Sequence, residues 1–216
     1  YSIDIKEDVT DFAKQADVTS ESFNIFISGI DTTGPVSTIS RSDVNMVVTV
    51  NPVTKKILMT SIPRDYYVTL ANLGQKDKLT HAGLGGVENS VRTVENFLGI
   101  EINYYMKVNF TSLVEIVDAL GGIDVESPVS FTTLHGNYRI KAGVNHLNGQ
   151  QALGFVRERY ALSGGDNDRV KNQQRVLSAM IEKAMSPNVI TNYTEILDSI
   201  SGSFETNMTT SEITSL

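Results

Sequence analysis

Arginines concentrate in one stretch of this 216-residue chain, where four of the eight fall between residues 157 and 175. Arg157 and Arg159 are two residues apart, so on an extended backbone their side chains project to the same face. Arg169 and Gln173 are four residues apart and share one face of a helix. Because guanidinium groups bind phosphate oxygens in bidentate fashion, this spacing predicts a site for one multiply charged anion.

The same stretch also contains acids that can neutralise these arginines. Glu158, Asp166 and Asp168 lie between or beside them. Arg169 falls in the first turn of a predicted helix, where the helix dipole favours anions and disfavours a cation that has no anion nearby. The residue types support an anion site and a solvated cluster of ion pairs equally.

Two aspartates stand at the ends of predicted strands. Asp31 follows the first strand and Asp43 precedes the second. Mg²⁺ is usually held by one or two carboxylates together with phosphate oxygens, which predicts a metal site. By spacing alone, turn or cap residues are the better interpretation. Arg64 has a similar ambiguity, because it can face a ligand at a strand end or pair with Asp65.

These side chains need a framework of strands and helices to position them. Asn51 and Pro52 separate two strand-like runs and predict a hairpin. Strands that alternate with helices predict an α/β fold, and the hairpin makes its sheet mixed. We therefore predict a single three-layer α/β/α domain, with a mixed central sheet flanked by helices, over residues 22–216, preceded by an extension or linker at 1–21. The predicted strands are 23–30, 44–50, 56–62, 102–108 and 123–125, and the predicted helices are 87–98, 111–120, 150–155, 168–185 and 190–200.

Composition excludes several functions. The net charge is −7, with −4 in residues 1–21, −4 in 182–216 and +1 in the middle, which holds every arginine. This acidic net charge argues against nucleic-acid binding, because proteins that bind nucleic acid usually show a basic surface. The absence of cysteine excludes disulfides, cysteine-ligated zinc and thiol catalysis. No run approaches the ~18 apolar residues of a membrane span.

Seven short segments occur in one order between residues 23 and 185. They are 29–31, 41–43, 61–65, 78–82 with Gly85 and Gly86, 120–125, 156–159, and 165–169 with Gln173 and Gln174. In this order and spacing they resemble the LytR–CpsA–Psr family of bacterial cell-wall enzymes. One departure is Asn172, where many family members have arginine.

The resemblance implies a phosphotransferase. Such enzymes move a glycopolymer, such as teichoic acid or capsular polysaccharide, from an undecaprenyl-pyrophosphate carrier to a muramic acid hydroxyl of peptidoglycan, with help from Mg²⁺ or, in its place, Mn²⁺. It also implies a domain on the extracytoplasmic face of the cell membrane, tethered by an N-terminal helix that precedes the present sequence, and no nucleic-acid partner.

The resemblance also assigns roles to residues. Asp31 and Asp43 would hold the metal, although Asp43 can instead serve as the base for the incoming hydroxyl. Asp43 and Arg64 would be catalytic. The pyrophosphate would be bound by Arg41, Arg64, Lys78, Arg157, Arg159, Arg169 and Gln173. Apolar helix positions would contribute to a prenyl tunnel, namely Val91, Val94, Leu98, Val114 and Val117.

Three other functions stay open at this stage. A transcriptional regulator or attenuator would use the helix at 169–183, whose basic residues are interrupted by acids. A wall protein that binds polyprenyl pyrophosphate without turnover is the second. The third is a hydrolase that only cleaves the lipid pyrophosphate.

Overall fold

Strands and helices alternate along the chain, as the sequence predicts. The structure is a computed structural model and describes residues 16–159 and 161–215. It divides into two units, of which the first runs to Asn109 and resumes at Phe204, and the second is Phe110–Ser203. The predicted boundary at residue 21 stays a prediction, because residues 1–15 lie outside the described part of the chain.

The observed elements agree closely with those predicted. Most bounds differ from the predicted ones by no more than two residues, and the predicted helix at 190–200 is divided at Asn192, whose φ of −114° is not helical. The strands are β1 Phe23–Ile30, β2 Ser42–Asn51, β3 Lys56–Ser61, β4 Tyr67–Thr69, β5 Lys76–Lys78, β6 Tyr104–Val108, β7 Ile123–Ser127, β8 Phe131–Thr132, β9 Arg139–Ile140, β10 Gly143–Leu147 and β11 Glu205–Thr206. The α-helices are α1 Val87–Leu98, α2 Phe110–Ala119, α3 Gly149–Arg157, α4 Asp166–Ala184, α5 Pro187–Thr191, α6 Tyr193–Ile200 and α7 Thr210–Thr214, and a 3₁₀ helix covers Leu79–Gly85.

The first unit is built on a five-stranded mixed sheet in the order β11-β6-β1-β2-β3. β1 pairs antiparallel with β2 and parallel with β6. The hairpin predicted at Asn51 and Pro52 joins β2 to β3, which are antiparallel. The predicted α/β class with a mixed sheet is confirmed.

The pairing of β1 with β2 places the predicted acids at one end of the sheet. Ile30 pairs with Ser42, and the register shifts just before this pair, between Gly29 and Ile30. Such an irregularity bends a strand and re-aims the neighbouring side chains. Asp31 therefore leaves the sheet one residue after the pair, and Asp43 lies one residue inside β2 from it.

Helix α1 covers part of this sheet. Its apolar residues recur at helical spacing, and Val91 and Val94 are buried in one cluster with Phe26 and Val47 of the sheet. Leu98, at the end of the helix, is exposed. The two valines, proposed above as tunnel residues, are core residues of the first unit in this structure.

Gly83 lets the 3₁₀ helix approach the backbone that carries Arg41 and Asp43. A Cβ atom at Gly83 would lie 2.5 Å from the Ser40 carbonyl oxygen and 2.6 Å from the Ser42 nitrogen. Both atoms belong to backbone, which cannot move aside as a flexible side chain can. We expect Gly83→Ala to lower the free energy of unfolding by about 3 kcal/mol, measured by urea denaturation.

Leu84 provides the control for this prediction. It is the next residue of the same 3₁₀ helix and is exposed. We expect Leu84→Ala to change the free energy of unfolding by no more than about 0.5 kcal/mol. Equal unfolding midpoints for Gly83→Ala and the wild type would contradict the close approach of Gly83 to the backbone of Ser40 and Ser42.

The second unit packs α2, α3 and α4 with the antiparallel pair of strands β7 and β10 around its own core. Val117 of α2, Phe155 of α3 and Val176 of α4 are buried in one cluster with Ile123 and Leu147 of these strands. Gly121 and Gly122 end α2, and both have positive φ angles that suit glycine. This core fixes the helix ends from which the predicted arginines project.

Hydrogen bonds at the Tyr104 hydroxyl connect the two ends of the described chain. The backbone N–H of Ala16 donates to the Tyr104 hydroxyl, which donates to the Glu212 carboxylate. Burial, followed by the Glu212 interaction, raises the pKa of Tyr104 to about 12.

Among the described residues, no helix is long and apolar enough to cross a membrane.

Candidate active site

A carboxylate, a guanidinium and a hydroxyl meet at the end of the first unit's sheet. Arg64 Nη1 lies 3.0 Å from Asp43 Oδ1, and the Thr80 hydroxyl donates to the same oxygen at 3.2 Å. The side chains of Arg64 and Asp43 are 30% and 18% exposed, so a ligand can reach both. We call Asp43, Arg64 and Thr80 the Asp43 cluster. It brings together the two residues predicted to be catalytic.

Backbone hydrogen bonds hold this cluster in place. The Thr80 N–H donates to the Arg64 carbonyl at 2.9 Å, and the Leu79 N–H donates to the Tyr66 carbonyl at 2.8 Å. The turn that begins at Pro63 is therefore tied to the 3₁₀ helix on both sides of Asp65. The position of Arg64 therefore depends on the 3₁₀ helix and, through Asp43, on β2, and both elements are distant from it in sequence.

Arg64 forms ion pairs and still remains accessible. It pairs with Asp43 at 3.0 Å and with Asp65 more loosely, at 3.7 Å. Asp65 in turn pairs with Lys78 Nζ at 2.8 Å, and both of these side chains are more than half exposed. Lys78, a predicted phosphate ligand, is thus linked to the Asp43 cluster through Asp65.

His81 has a structural partner. Its Nδ1 lies 2.8 Å from Oδ2 of Asp77, a residue of β5. This hydrogen bond, followed by one from the Lys78 backbone, lowers the pKa of the exposed Asp77 carboxyl.

The two predicted metal ligands differ in their contacts. Both hydrogen bonds to Asp43 reach Oδ1, and no described residue bonds its Oδ2. Asp31 is exposed, as is Arg41. The described residues contain no group of three or more His, Cys, Asp or Glu side chains that could hold a metal ion. Two carboxylates suit Mg²⁺ only when phosphate or water oxygens complete its shell, which is the usual arrangement for that ion.

Lys107 was not among the predicted site residues. It lies on β6, is 5% exposed, and its Nζ donates to the Thr38 carbonyl at 2.9 Å. Asn109 likewise donates to the Gly34 carbonyl at 2.9 Å. These two side chains hold the loop that connects Asp31 with Arg41. Burial lowers the pKa of the Lys107 ammonium, and the Glu205 carboxylate opposes this effect. The only sequence signal for Lys107 is that a lysine occupies a strand position on the side that faces the core.

The arginines of the second unit that are predicted to bind phosphate begin where α3 ends. Arg157 is the last residue of α3, and Glu158 after it is extended, with φ of −67° and ψ of 131°. The backbone is therefore extended at the residue between Arg157 and Arg159. The Arg157 guanidinium lies over the Phe110 ring, with Cζ 4.5 Å from the ring centroid. Arg157 is exposed and Arg159 is half-buried.

Arg169 and Gln173 share α4, one turn apart, as predicted. Arg169 is only 7% exposed, and Gln173 is half-buried. Asp168 accepts a hydrogen bond from the Gly164 N–H at 2.8 Å and pairs with Lys171 at 3.8 Å. Asn172, where the family often has arginine, is buried and accepts a hydrogen bond from Arg175.

The fold and these side chains define a class of protein. The mixed α/β fold carries exposed or half-buried arginines in both units and accessible carboxylates at strand ends. Guanidinium groups in such number suit a ligand that contains phosphate. The chain belongs to the LytR_cpsA_psr family, whose model matches residues 2–216.

Relatives of known name are similar to this chain over most of its length, which supports its membership of the family. A protein of Bacillus anthracis named polyisoprenyl-teichoic acid–peptidoglycan teichoic acid transferase TagU is 41% identical over 191 residues, which are 88% of this chain and 62% of that protein. An Enterococcus faecalis protein of the same name is 39% identical over 87% of this chain and 62% of its own length. The present chain thus spans about three fifths of the length of these curated relatives.

Solved structures share the fold. Bacillus subtilis TagV superposes with a TM-score of 0.79 and 36% identity, over 90% of this chain and 77% of that one. A structure described as TagT bound to LI-WTA has a TM-score of 0.76 and 31% identity, over 93% and 74%. An Enterococcus faecalis protein described as a transcriptional regulator has a TM-score of 0.80 and 29% identity, over 94% and 72%.

Proposed function

We propose that this protein transfers a glycopolymer from a polyprenyl-pyrophosphate carrier to peptidoglycan. The observation that carries the proposal is the Asp43 cluster, in which an accessible carboxylate and an accessible guanidinium lie 3.0 Å apart. Relatives named as teichoic acid transferases, at about 40% identity, support the class of reaction. The proposed location is the extracytoplasmic face of the cell membrane, where both substrates are found.

The proposed reaction is a phosphoryl transfer with one bond formed and one broken. The oxygen of a muramic acid hydroxyl attacks the sugar-linked phosphorus, and the pyrophosphate P–O bond breaks. The products are a phosphodiester and undecaprenyl phosphate. The hydroxyl proton goes to a base, for which Asp43 is the candidate. Phosphoryl transfer depends mainly on positioning and charge neutralisation, which the arginines of this chain are suited to supply.

The remaining predicted residues would bind the pyrophosphate oxygens. In the first unit these are Arg64, Arg41 and Lys78. Arg157, Arg159, Arg169 and Gln173 are the corresponding residues of the second unit. Arginine suits this role because its planar guanidinium presents paired donors and stays charged.

Mg²⁺, or Mn²⁺ in its place, is part of the proposal. Asp31 and Asp43 Oδ2 would supply two carboxylate ligands, with pyrophosphate oxygens and waters as the others. The ion would neutralise charge on the pyrophosphate when bound. If the metal uses Asp43, the Asp43 carboxylate is less available as a base, so the two roles of this residue compete.

The test uses the purified chain, a synthetic polyprenyl-pyrophosphate-linked disaccharide and peptidoglycan oligomers. We expect a disaccharide–peptidoglycan phosphodiester, with polyprenyl phosphate released in equal amount, and loss of product when EDTA removes the metal. Equal release of polyprenyl phosphate without peptidoglycan would instead show a hydrolase. Binding of the donor without any release would show a receptor, and either result would overturn the proposal.

Regulation of transcription is a second candidate, favoured by the solved structure described as a regulator. Its best support in this chain would be the basic side chains of α4. Acids interrupt this helix at Asp166, Asp168 and Glu182, and tight DNA binding normally needs several phosphate contacts from one basic face. Salt-dependent binding of duplex DNA below micromolar concentration would support this candidate over the transferase.

A further inference from the structure

We propose that Glu158 is a positioning residue, which fixes Arg157 and Arg159 in the arrangement that binds phosphate. The inference rests on the proposed function, because it concerns the arginines assigned there to the pyrophosphate. Glu158 lies between them in sequence and has no assigned role. The hydrogen bonds that carry the inference join it to other residues of the second unit.

The Glu158 carboxylate accepts hydrogen bonds from backbone N–H groups, three of which belong to described residues. Oε1 receives those of Arg159 and Ala161, both at 3.0 Å, and Oε2 receives that of Leu134 at 2.7 Å. Glu158 is 2% exposed. One side chain thus ties the segment that carries Arg159 to a loop that is 24 residues away in sequence.

A carboxylate at this position both satisfies and orients backbone groups. Burying it carries a desolvation cost, whereas an apolar residue would avoid that cost but would leave the N–H groups without this acceptor. The carboxylate also fixes the backbone, because charge-assisted hydrogen bonds are short and directional.

The loop that Glu158 contacts is itself held firmly. Leu134 lies in the turn between β8 and β9, where the Thr133 hydroxyl donates to the His135 carbonyl and accepts from the Tyr138 N–H. Gly154, one turn before Glu158 on α3, lets this turn approach closely, since a Cβ there would lie 2.8 Å from the His135 carbonyl oxygen. The Leu134 N–H is therefore presented to Glu158 from a rigid support.

Phe110 provides an anchor for Arg157, the first of these two arginines. Its ring supports the Arg157 guanidinium by a cation–π contact. Glu158 fixes the backbone that follows. Together they restrict both the side chain of Arg157 and the direction in which Arg159 leaves the helix, so less conformational entropy is lost when an anion binds.

Glu158→Gln tests the inference with little change in shape. Glutamine keeps one oxygen for the Arg159 and Ala161 N–H groups, but its NH₂ group then faces the Leu134 N–H. We expect the affinity for geranylgeranyl pyrophosphate, measured by titration calorimetry, to fall about tenfold while the far-ultraviolet circular dichroism stays that of the wild type. Glu126→Gln, the same change at an exposed position of β7, is the control and is expected to bind as the wild type does.

A double-mutant cycle separates positioning from general destabilisation. We expect the effect of Glu158→Gln to shrink severalfold in an Arg159→Ala background, because the residue that it positions is gone. Gly154→Ala, which displaces the same turn, serves as a second variant if Glu158→Gln does not fold, with the same expected loss of affinity. Unchanged affinity in the folded variants, or strictly additive effects, would overturn the inference alone. A wild type that binds no prenyl pyrophosphate would overturn the proposed function, and the inference with it.

Discussion

Arg64→Ala is expected to reduce glycopolymer transfer about a thousandfold while the protein stays folded. Arg64 pairs with Asp43 yet keeps 30% of its side chain exposed, so it can contact a pyrophosphate oxygen without leaving its position. Loss of the guanidinium removes positive charge where the transition state spreads negative charge. The measurement is the initial rate of phosphodiester formation at saturating donor, with thermal unfolding as the check on the fold.

Arg92 supplies the matched control for this change. It is an exposed arginine of the same unit, paired with Glu88 one turn earlier on α1. We expect Arg92→Ala to keep transfer within twofold of the wild type, because surface pairs of this kind contribute little. Arg64→Lys keeps the charge but not the planar donors, and its rate should fall between those of the wild type and Arg64→Ala. Transfer at the wild-type rate by folded Arg64→Ala would remove this residue from the site.

Arg157→Ala is expected to weaken donor binding and transfer about a hundredfold. Arg157 is exposed at the end of α3 and supported by the Phe110 ring, so it is held ready for an anion while making few contacts that the fold needs. Its loss is therefore expected to lower stability by no more than about 1 kcal/mol, the size of a cation–π contact. Donor titration and transfer rate, measured on the same preparation, give both effects.

The control for Arg157 lies in the same unit. Arg139 is an exposed arginine of β9, and Arg139→Ala is expected to bind and transfer donor as the wild type does. A purely electrostatic effect of net charge would lower affinity equally in both variants. Equal losses would therefore contradict a specific role for Arg157, as would a large loss of stability in Arg157→Ala without a change in affinity.

Local pattern predicted most of the elements. Helix α1 was predicted residue for residue, because its apolar positions recur at helical spacing and Gly99 ends it. β1 was likewise predicted in full, since a run of apolar residues between polar neighbours fits a buried strand. The prediction of one continuous helix over 190–200 was wrong at Asn192, because the break there changes the backbone without changing the apolar periodicity.

The contacts of the site were harder to predict because they depend on residues that are distant in sequence. The pairing of Arg64 with Asp43 spans 21 residues and was left open against pairing with Asp65. Thr80, Lys107 and Phe110 were not predicted, since a threonine, a strand lysine and a core phenylalanine carry no chemical signal of their own. Glu158 was predicted as a possible ion-pair partner of the arginines, whereas the described contacts include three backbone amides.

The sequence by itself determined the family, the mixed α/β class and the segments that hold the candidate residues, because these depend on short patterns and their order. It also placed every arginine in the near-neutral middle of an acidic chain. Only the tertiary structure decided which groups meet, because hydrogen bonds such as those of Asp43 and Glu158 join elements that folding brings together. Side-chain direction and burial follow from that packing, which no local pattern encodes.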